Sequence, residues 1–275
     1  MSDRKQGRVW FVSGATSGLG LSLARLALAR GERVFATGRK SAPLQALQAA
    51  GAEIAVMDVT KPAEIATAIA AVGTRFGGVD VLVNSAGYAL LGAVEETSDA
   101  ETRAQFDVNV FGLMNVVRGA LPLMRTRGGG RIVNFSSLAG FMGMAGAGNY
   151  CASKFAVEGL SETLAAELAP FGIKVIIVEP GSFKSNFVDR TRISPAMDGY
   201  ADTVGRLRAW MESDGPHNGG DPDKAAAVVW AAVNAPEPPL RLLVGEDALT
   251  GARAKLVSMQ QGLDAWADVT LMTNS

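Results

Sequence analysis

The sequence has one cysteine and one histidine in 275 residues, and its charges almost cancel, with 26 basic and 27 acidic side chains. Cys151 alone excludes an internal disulfide, and no Cys, His and Asp cluster has metal-ligand spacing, so we predict no metal. The balanced charge argues against nucleic acid or anionic lipid as a partner. The longest apolar run, Ala225 to Val233, is far shorter than a membrane span of ~20 residues, and the charged start from Met1 to Arg8 lacks the apolar core of a signal peptide. These absences predict a cytoplasmic protein in a reducing environment.

Short β-branched runs with almost no polar interruption alternate with helix-length amphipathic segments along most of the chain. This alternation is typical of parallel strands that are covered by helices on both faces. We predict a single domain of the α/β class, with a doubly wound, Rossmann-type sheet of seven parallel strands. The predicted strands lie near Val9–Ser13, Arg33–Thr37, Glu53–Met57, Val81–Val83, Arg131–Phe135, Lys174–Val178 and Leu240–Val244. The predicted helices lie near Leu19–Ala29, Pro43–Ala50, Pro62–Phe76, Ala100–Arg125, Tyr150–Ala169 and Asp223–Ala235.

The alternation fails over Ser182–Asp221, where Gly, Pro and Asp mix with large apolar residues. An ordinary connection has about 4 to 6 residues, so we predict a substrate lid there, with a plain surface excursion as the alternative. His217, inside this insertion, is interpreted as a loop residue. Residues 245–275 are predicted to form a tail with a helix over Asp247–Ala267, and the sequence leaves open whether this tail caps the domain or meets a second subunit.

A glycine-rich loop joins the first predicted strand to the first predicted helix. It reads Gly14-Ala15-Thr16-Ser17-Gly18-Leu19-Gly20. Glycine lets the backbone approach a diphosphate, and the free N–H groups at the start of the helix favour the anion. The spacing differs from the common G-x-G-x-x-G signature, and the lack of Gly-Lys-Ser/Thr excludes a P-loop. The loop therefore predicts a cradle for the phosphates of a dinucleotide.

The end of the second predicted strand indicates which dinucleotide is bound. An acidic side chain at this point usually binds the adenosine ribose of NAD. Here the chain reads Gly38-Arg39-Lys40 with no carboxylate, and the Arg39 guanidinium suits a 2′-phosphate. The sequence favours NADP(H) over NAD(H), and the alternative is a solvated Arg–Lys pair.

Tyr150 and Lys154 lie four residues apart at the start of a predicted helix, so both side chains project from one face. Lowering a tyrosine pKa from about 10 toward neutrality takes roughly 4 kcal/mol. One positive charge at about 4 Å supplies roughly that energy at an effective dielectric of about 20, but only about 1 kcal/mol in bulk water. We therefore expect Lys154 to lower the pKa of Tyr150 in a partly dry cleft. Such a pair is common on ordinary helices, so its meaning depends on the other motifs.

Taken together, the motifs resemble those of the short-chain dehydrogenase/reductase family in its single-domain form of about 250 residues. Ser13–Gly20 is similar to the family's T-G-x-x-x-G-x-G with Ser as the first residue, Asn84–Gly87 to its N-N-A-G, and Tyr150–Lys154 to its Y-x-x-x-K. Ser137 lies 13 residues before Tyr150, the usual interval for the family's catalytic serine. Asn109 and Asp58 stand where the family has its catalytic asparagine and its adenine contact, and Pro180–Ser185 resembles P-G-x-x-x-T.

The resemblance implies a role for each of these residues. Tyr150 passes a proton to or from a carbonyl oxygen, and Ser137 holds the same oxygen by a hydrogen bond. Lys154 lowers the tyrosine pKa and binds the nicotinamide ribose, while Asn109 keeps a water that links Lys154 to solvent. The implied cofactor-binding residues are Gly14, Thr16, Ser17, Gly18, Leu19, Gly20, Arg39, Asp58, Val59, Asn84, Ala86, Gly87, Tyr150, Lys154, Pro180, Gly181, Phe183 and Ser185.

The sequence thus predicts an NADP(H)-dependent oxidoreductase that interconverts a ketone and a secondary alcohol, working as a carbonyl reductase on an apolar or bulky substrate. One alternative is an NAD-linked alcohol or hydroxysteroid dehydrogenase that works oxidatively, and another is a non-catalytic NADP-sensing protein. The family resemblance also implies a homodimer or homotetramer. The apolar preference is inferred from residues near the proposed reactive centre or in the lid, namely Leu90, Leu91, Phe141, Met142, Met144, Phe187 and Trp210.

Overall fold

The computed structural model describes residues 7–184, 190–213 and 218–274. Ser185, Phe187 and His217, which the sequence analysis names, lie outside these described residues. The strands of the main sheet are β1 (Val9–Ser13), β2 (Arg33–Gly38), β3 (Glu53–Val56), β4 (Val81–Asn84), β6 (Gly130–Phe135), β7 (Ile173–Pro180) and β9 (Arg241–Val244), and a separate pair is formed by β5 (Leu90–Leu91) and β8 (Arg192–Ile193). The helices are α1 (Gly18–Ala29), α2 (Ser41–Ala49), α3 (Pro62–Phe76), α4 (Asp99–Phe106), α5 (Leu113–Thr126), α6 (Gly148–Leu168), α7 (Val204–Glu212), α8 (Pro222–Asn234) and α9 (Glu246–Leu271).

The main sheet has the strand order β3-β2-β1-β4-β6-β7-β9, and every neighbouring pair is parallel. The predicted seven-stranded, doubly wound parallel sheet is therefore confirmed. The chain leaves β1 in one direction toward β2 and β3, and in the other toward β4 and the strands beyond it. Ligands bind at such a switch point, beyond the carboxyl ends of the strands.

The central strand β1 shows why the strand sequences do not alternate between apolar and polar residues. All five of its side chains are buried. Val9 and Phe11 pack into the apolar layer formed with α3, α5 and α6, whereas Trp10 and Val12 pack into the layer formed with α1, α2 and α8. The Trp10 ring stacks on Trp230 of α8 with 5.3 Å between ring centroids. Both faces of the sheet are thus covered by helices, as parallel sheets require.

The predicted continuous helix over Ala100–Arg125 is wrong in one respect. The structure has α4, then a π-helical turn over Asp107–Gly112, then α5. A π turn inserts an extra residue and rotates the side chains that follow, and it is frequent at functional sites.

The insertion contains structure that the sequence pattern does not predict. Its described part includes the two-residue strand β8 and the helix α7. Arg208 of α7 forms a 2.7 Å ion pair with the buried Glu96 and donates a hydrogen bond to the Ser194 carbonyl oxygen. The Glu96 carboxylate also accepts from the Met197 backbone N–H. These contacts dock the insertion on the loop that follows β5.

The tail helix α9 begins one residue before and ends four residues after the predicted bounds. Ala248 and Ala252, in its first two turns, are buried against the domain. Every residue from Leu256 to Thr273 is exposed. Across the part of the chain that the structure describes, we find no helix with the length and apolar character needed to cross a membrane.

Candidate active site

A cavity of about 310 Å³ opens beyond the carboxyl ends of β1, β4, β6 and β7. The predicted site residues that line it come from four separate segments of the chain. They are Ser17, Gly18, Leu19, Gly87, Ser137, Tyr150, Lys154, Pro180, Gly181 and Phe183. The parallel topology explains this convergence, since residues that follow parallel strands meet at one edge of the sheet.

Tyr150, Lys154 and Ser137 form the polar centre of the cavity. Tyr150 and Lys154 lie one turn apart on α6, and both are buried. The Lys154 Nζ atom is 5.8 Å from the centroid of the Tyr150 ring and donates a 2.8 Å hydrogen bond to the Phe135 carbonyl oxygen. The Ser137 side chain hydrogen-bonds to the Tyr150 side chain. The two helical residues thus face the same space.

The electrostatics of this centre correct one expectation from the sequence. The pKa of Tyr150 is raised to about 12 rather than lowered, because burial disfavours the phenolate more than the hydrogen bond from Ser137 favours it. The pKa of Lys154 is lowered to about 8, because burial disfavours the ammonium and the nearby Glu158 offsets this only in part. The sequence argument included the attraction between the Lys154 ammonium and the Tyr150 phenolate, but it could not include the cost of burying the phenolate. Tyr150 therefore holds its proton at neutral pH.

Asn109 lies behind the cavity wall, on the π turn. Its Oδ1 atom accepts a hydrogen bond from the Tyr88 backbone N–H at 3.1 Å, and its Nδ2 atom donates to the Tyr88 carbonyl oxygen and to Ser153 Oγ, each at 3.0 Å. A side chain at Gly87 would come within 3.1 Å of Asn109 Oδ1 and 3.6 Å of Lys154 Nζ. Gly87 therefore leaves space between these two polar groups.

The glycine-rich loop fits a diphosphate. Gly14 has a φ of 74°, and a Cβ at this position would lie 2.5 Å from the Ala86 backbone nitrogen, so a side chain here would be both strained and obstructed. Gly20 packs equally closely against Gly14. The first helix begins at Gly18, and its N-cap, Ser17, makes no side-chain capping bond. The first N–H groups of α1 thus remain available to an anion at the cavity wall.

Several predicted cofactor-binding residues lie outside the lining of the cavity, including Arg39 and Asp58, which were predicted to contact the adenosine half. Arg39 is exposed directly after β2, and Val59 is buried. The Asp58 Oδ1 atom accepts hydrogen bonds from the backbone N–H and the hydroxyl of Thr60, each at 2.9 Å, which is the geometry of a turn former. The buried Asn84 donates to Asn134 Oδ1 at 2.9 Å and so joins β4 to β6.

The structure adds site residues that sequence reasoning missed. Arg190 lines the cavity and donates a 3.4 Å hydrogen bond to Thr16 Oγ1 in the phosphate loop. Asp247 of α9 also lines the cavity and accepts a 2.7 Å hydrogen bond from the Ser182 backbone N–H. Both residues come from segments without a recognisable motif. The sequence analysis had indicated these segments only in general terms, as a lid and a tail.

The substrate end of the cavity is apolar. Leu91, Met144 and Trp210 line it as the sequence suggested, whereas Leu90, Phe141 and Met142 are outside the lining. Further large apolar residues of the lining come from the end of β6, the loop after it and α7. They are Phe135, Leu138, Leu207 and Met211.

Behind Lys154, two glutamates and an arginine form a buried cluster. Glu158 and Glu179 are almost fully buried, and Arg241 lies 3.1 Å and 3.2 Å from their respective carboxylates. Arg241 also pairs with the exposed Glu162 at 2.7 Å. Burial and the neighbouring Glu158 raise the pKa of Glu179 to about 8, and burial raises the pKa of Glu158 as well. Arg241 thus forms ion pairs with three carboxylates.

This cluster predicts how stability depends on pH. Between about pH 4.5 and pH 8 the unfolded chain releases the Glu179 proton while the folded protein retains it, so the free energy of unfolding falls as pH rises through this window. Glutamine has no proton to release, so the Glu179→Gln variant does not lose stability in this way as pH rises. At pH 8.5 we therefore expect its Tm to exceed the wild-type Tm by about 3 °C. Thermal unfolding of both proteins from pH 5 to 8.5 measures the difference.

Glu162→Gln is the matched control, because it removes the exposed carboxylate of the same arginine. Its Tm should stay within about 1 °C of wild type at every pH. Parallel Tm curves for wild type and Glu179→Gln would contradict the assignment.

The comparisons with known proteins agree with this geometry. The family model described as short chain dehydrogenase matches residues 8–195. A curated relative, oxidoreductase BOA17 of Botryotinia fuckeliana, is 34% identical over 96% of this chain and 98% of its own length. Another, 3-ketodihydrosphingosine reductase of Bacteroides thetaiotaomicron, is 37% identical over 87% of this chain and 88% of its own length.

Solved structures are similar over almost the whole chain. A short-chain dehydrogenase from Streptomyces avermitilis is 42% identical, with a TM-score of 0.90 over 97% of this chain and 100% of that one. A short-chain dehydrogenase/reductase from Burkholderia phymatum in complex with NAD is 25% identical, with a TM-score of 0.80 over 94% and 97% of the two chains. An actinorhodin polyketide ketoreductase with NADPH is 32% identical, with a TM-score of 0.74 over 90% and 99%.

The sheet, the phosphate loop and the polar centre at the switch point define a Rossmann-type oxidoreductase that uses a nicotinamide cofactor. The chain belongs to the short-chain dehydrogenase/reductase family, whose members act on small molecules.

Proposed function

We propose that this protein is an NADPH-dependent carbonyl reductase that converts an apolar or bulky ketone to a secondary alcohol. The observation that carries the proposal is the geometry of Tyr150, which lies beside Ser137 and one helical turn from Lys154 in an otherwise largely apolar cavity. A protonated phenol suits a donor to a carbonyl, whereas oxidation of an alcohol requires the phenolate. The NADPH-bound ketoreductase among the similar structures supports the same direction.

When bound, the nicotinamide supplies the hydride. Arg39 would bind the 2′-phosphate, the first turn of α1 the diphosphate, and Lys154 the nicotinamide ribose, with Phe183 beside the ring. Tyr150 Oη gives its proton to the carbonyl oxygen as negative charge develops there, because an alkoxide is far more basic than a phenolate. Ser137 holds the same oxygen by a hydrogen bond, which stabilises that charge. The Tyr150 phenolate that remains takes a proton from the Lys154 ammonium, and Asn109 retains a water through which Lys154 regains that proton from solvent.

The insertion Ser182–Asp221 acts as the lid in this proposal. Its helix α7 contributes Leu207, Trp210 and Met211 to the cavity, and these side chains exclude water from the substrate end. Excluding water strengthens the hydrogen bonds that Tyr150 and Ser137 make to the carbonyl oxygen.

NADPH oxidation with a panel of ketones tests the proposal. We expect turnover, with kcat/KM rising from small polar ketones to bulky apolar ones. Tight NADPH binding without oxidation across the panel would identify a sensor instead. A higher kcat/KM for alcohol oxidation with NAD would establish the oxidative alternative.

Arg39→Ala tests the cofactor preference separately. A charge-assisted arginine–phosphate contact contributes about 1.5–3 kcal/mol, so we expect Kd for NADPH to rise by roughly 10- to 100-fold and Kd for NADH by less than about twofold. Fluorescence titration with both cofactors measures the two constants. Arg25→Ala, which removes an exposed arginine of α1, should alter neither. Equal losses for the two cofactors in Arg39→Ala would refute this role.

A further inference from the structure

The last five turns of α9 and the short 3-10 turn that follows them form an arm, residues 253–273, which is about 30 Å long. Within the part of the chain that the structure describes, the large apolar side chains of this arm remain largely uncovered. Its large apolar side chains are all at least half exposed. They are Leu256, Val257, Met259, Leu263, Trp266, Val269, Leu271 and Met272.

An isolated helix of this length gains little stability from its backbone alone, and helices in proteins owe most of their stability to packing of an apolar face. A continuous apolar patch of several hundred Å² on a protein surface marks an interaction site. Leu256, Met259, Leu263 and Trp266 lie on one side of the arm and form such a patch, whereas Val257 and Met272 lie on the other side.

The spacing of these side chains indicates what covers them. Leu249, Leu256 and Leu263 repeat every seven residues, and so do Ala252, Met259 and Trp266. These two series occupy the a and d positions of a heptad, the pattern of a helix that packs along a second helix of the same kind. Both series lie on α9 and together form one apolar stripe, which we call the seam. Ala252 is buried against the domain, and the seam is exposed beyond it.

The charges of the arm favour a second copy in the opposite direction. Arg253 and Lys255 lie near the domain at the two positions that flank the apolar stripe, whereas Asp264 and Asp268 lie toward the tip on the side of the helix that faces away from it. Two parallel arms would bring the two copies of Arg253 and of Lys255 to the same level, while two antiparallel arms hold these like charges apart along the helices. The same charges disfavour a bilayer, since helices that lie on anionic lipid carry a polar face rich in Lys and Arg.

The size of the domain also favours an antiparallel pair of arms. Helices in contact lie 8–10 Å apart, whereas a domain of this length is roughly 45 Å across. A parallel pair would bring two domains to the same end of two closely spaced helices. An antiparallel pair holds the domains at opposite ends, where each has room.

We propose that α9 is an assembly element and that two copies of this chain associate through an antiparallel pair of arms. The pairing places Leu256 against the partner's Trp266 and Met259 against the partner's Leu263. The family resemblance implies a dimer through the helices predicted over Ala100–Arg125 and Tyr150–Ala169, and the contact proposed here involves a separate surface.

Sedimentation velocity tests the association. We expect Leu256→Glu/Leu263→Glu to halve the assembled mass of the wild-type protein, because two carboxylates would be buried in the seam. Gln261→Glu, which lies on the opposite face of the same helix, should keep the wild-type mass. NADPH affinity should be unchanged in both variants, since the arm is outside the cavity, and this shows that the domain remains folded. Equal masses for wild type and the double variant would overturn the proposal. So would a monomeric wild type that binds vesicles of phosphatidylserine through these leucines.

Disulfide trapping tests the direction. The single native cysteine, Cys151, is buried, so we expect only the introduced cysteines to form disulfides. Leu256→Cys and Trp266→Cys variants with tags of different size are co-expressed and oxidised. Antiparallel arms give the mixed disulfide, because these positions face each other. If each variant links only to itself, the arms are parallel, and if neither links, the seam is not an interface.

Discussion

Tyr150→Phe should lower kcat for carbonyl reduction by at least about a thousandfold while leaving Kd for NADPH within about twofold of wild type. The substitution removes one hydroxyl from a buried ring and leaves the ring in place. No other phenol lines the cavity, and Ser137 is too weak an acid to replace the donor. Single-turnover rates with saturating NADPH, together with a fluorescence titration of the cofactor, measure the two quantities.

Tyr200→Phe is the matched control. The Tyr200 hydroxyl donates to Glu95 Oε2 at 2.6 Å on the exposed side of the insertion, so its loss should alter kcat by less than about threefold. Turnover by Tyr150→Phe at more than a tenth of the wild-type rate would remove Tyr150 from the proposed proton transfer.

Lys154→Met should lower kcat/KM for NADPH by about a hundredfold or more and should weaken cofactor binding as well. The lysine carries the only ammonium in the cavity lining as described, and its contact with the Phe135 carbonyl oxygen holds it beside Tyr150. Methionine has a similar length but no charge and no hydrogen-bond donor. Unlike Tyr150→Phe, this variant should therefore lose both binding and turnover.

The same lysine predicts the alkaline limb of the pH profile. Burial lowers the pKa of Lys154 to about 8, so the ammonium is lost as pH rises through this value. In the wild-type protein, kcat/KM for NADPH, which reports ionisations of the free enzyme, should fall above about pH 8. Lys154→Met should lack this limb, whereas Lys174→Met, which removes an exposed lysine paired with Glu237, should retain it. A wild-type profile that is flat to pH 10 would contradict the role of Lys154.

Much of the polar centre could be predicted from the chain because its residues carry local patterns. The turn at Gly14, the start of α1 and the four-residue interval between Tyr150 and Lys154 depend on neighbours within a few positions. Arg190 and Asp247 could not be predicted. They reach the cavity from the insertion and from the tail, and no short-range pattern reports that these segments fold back over the sheet.

The succession of strands and helices of the main sheet and the motifs of the family follow from the amino-acid sequence alone, because apolar periodicity and motif spacing are local properties. The direction of the Tyr150 pKa shift depends instead on tertiary packing, since the cost of a buried charge depends on everything packed around it. Tertiary packing also brings together Glu158, Glu179 and Arg241, which come from three distant elements. The sequence also left open whether the tail caps the domain or meets a second subunit, and the exposure of the apolar side chains from Leu256 onward shows that this part of α9 does not cap the domain.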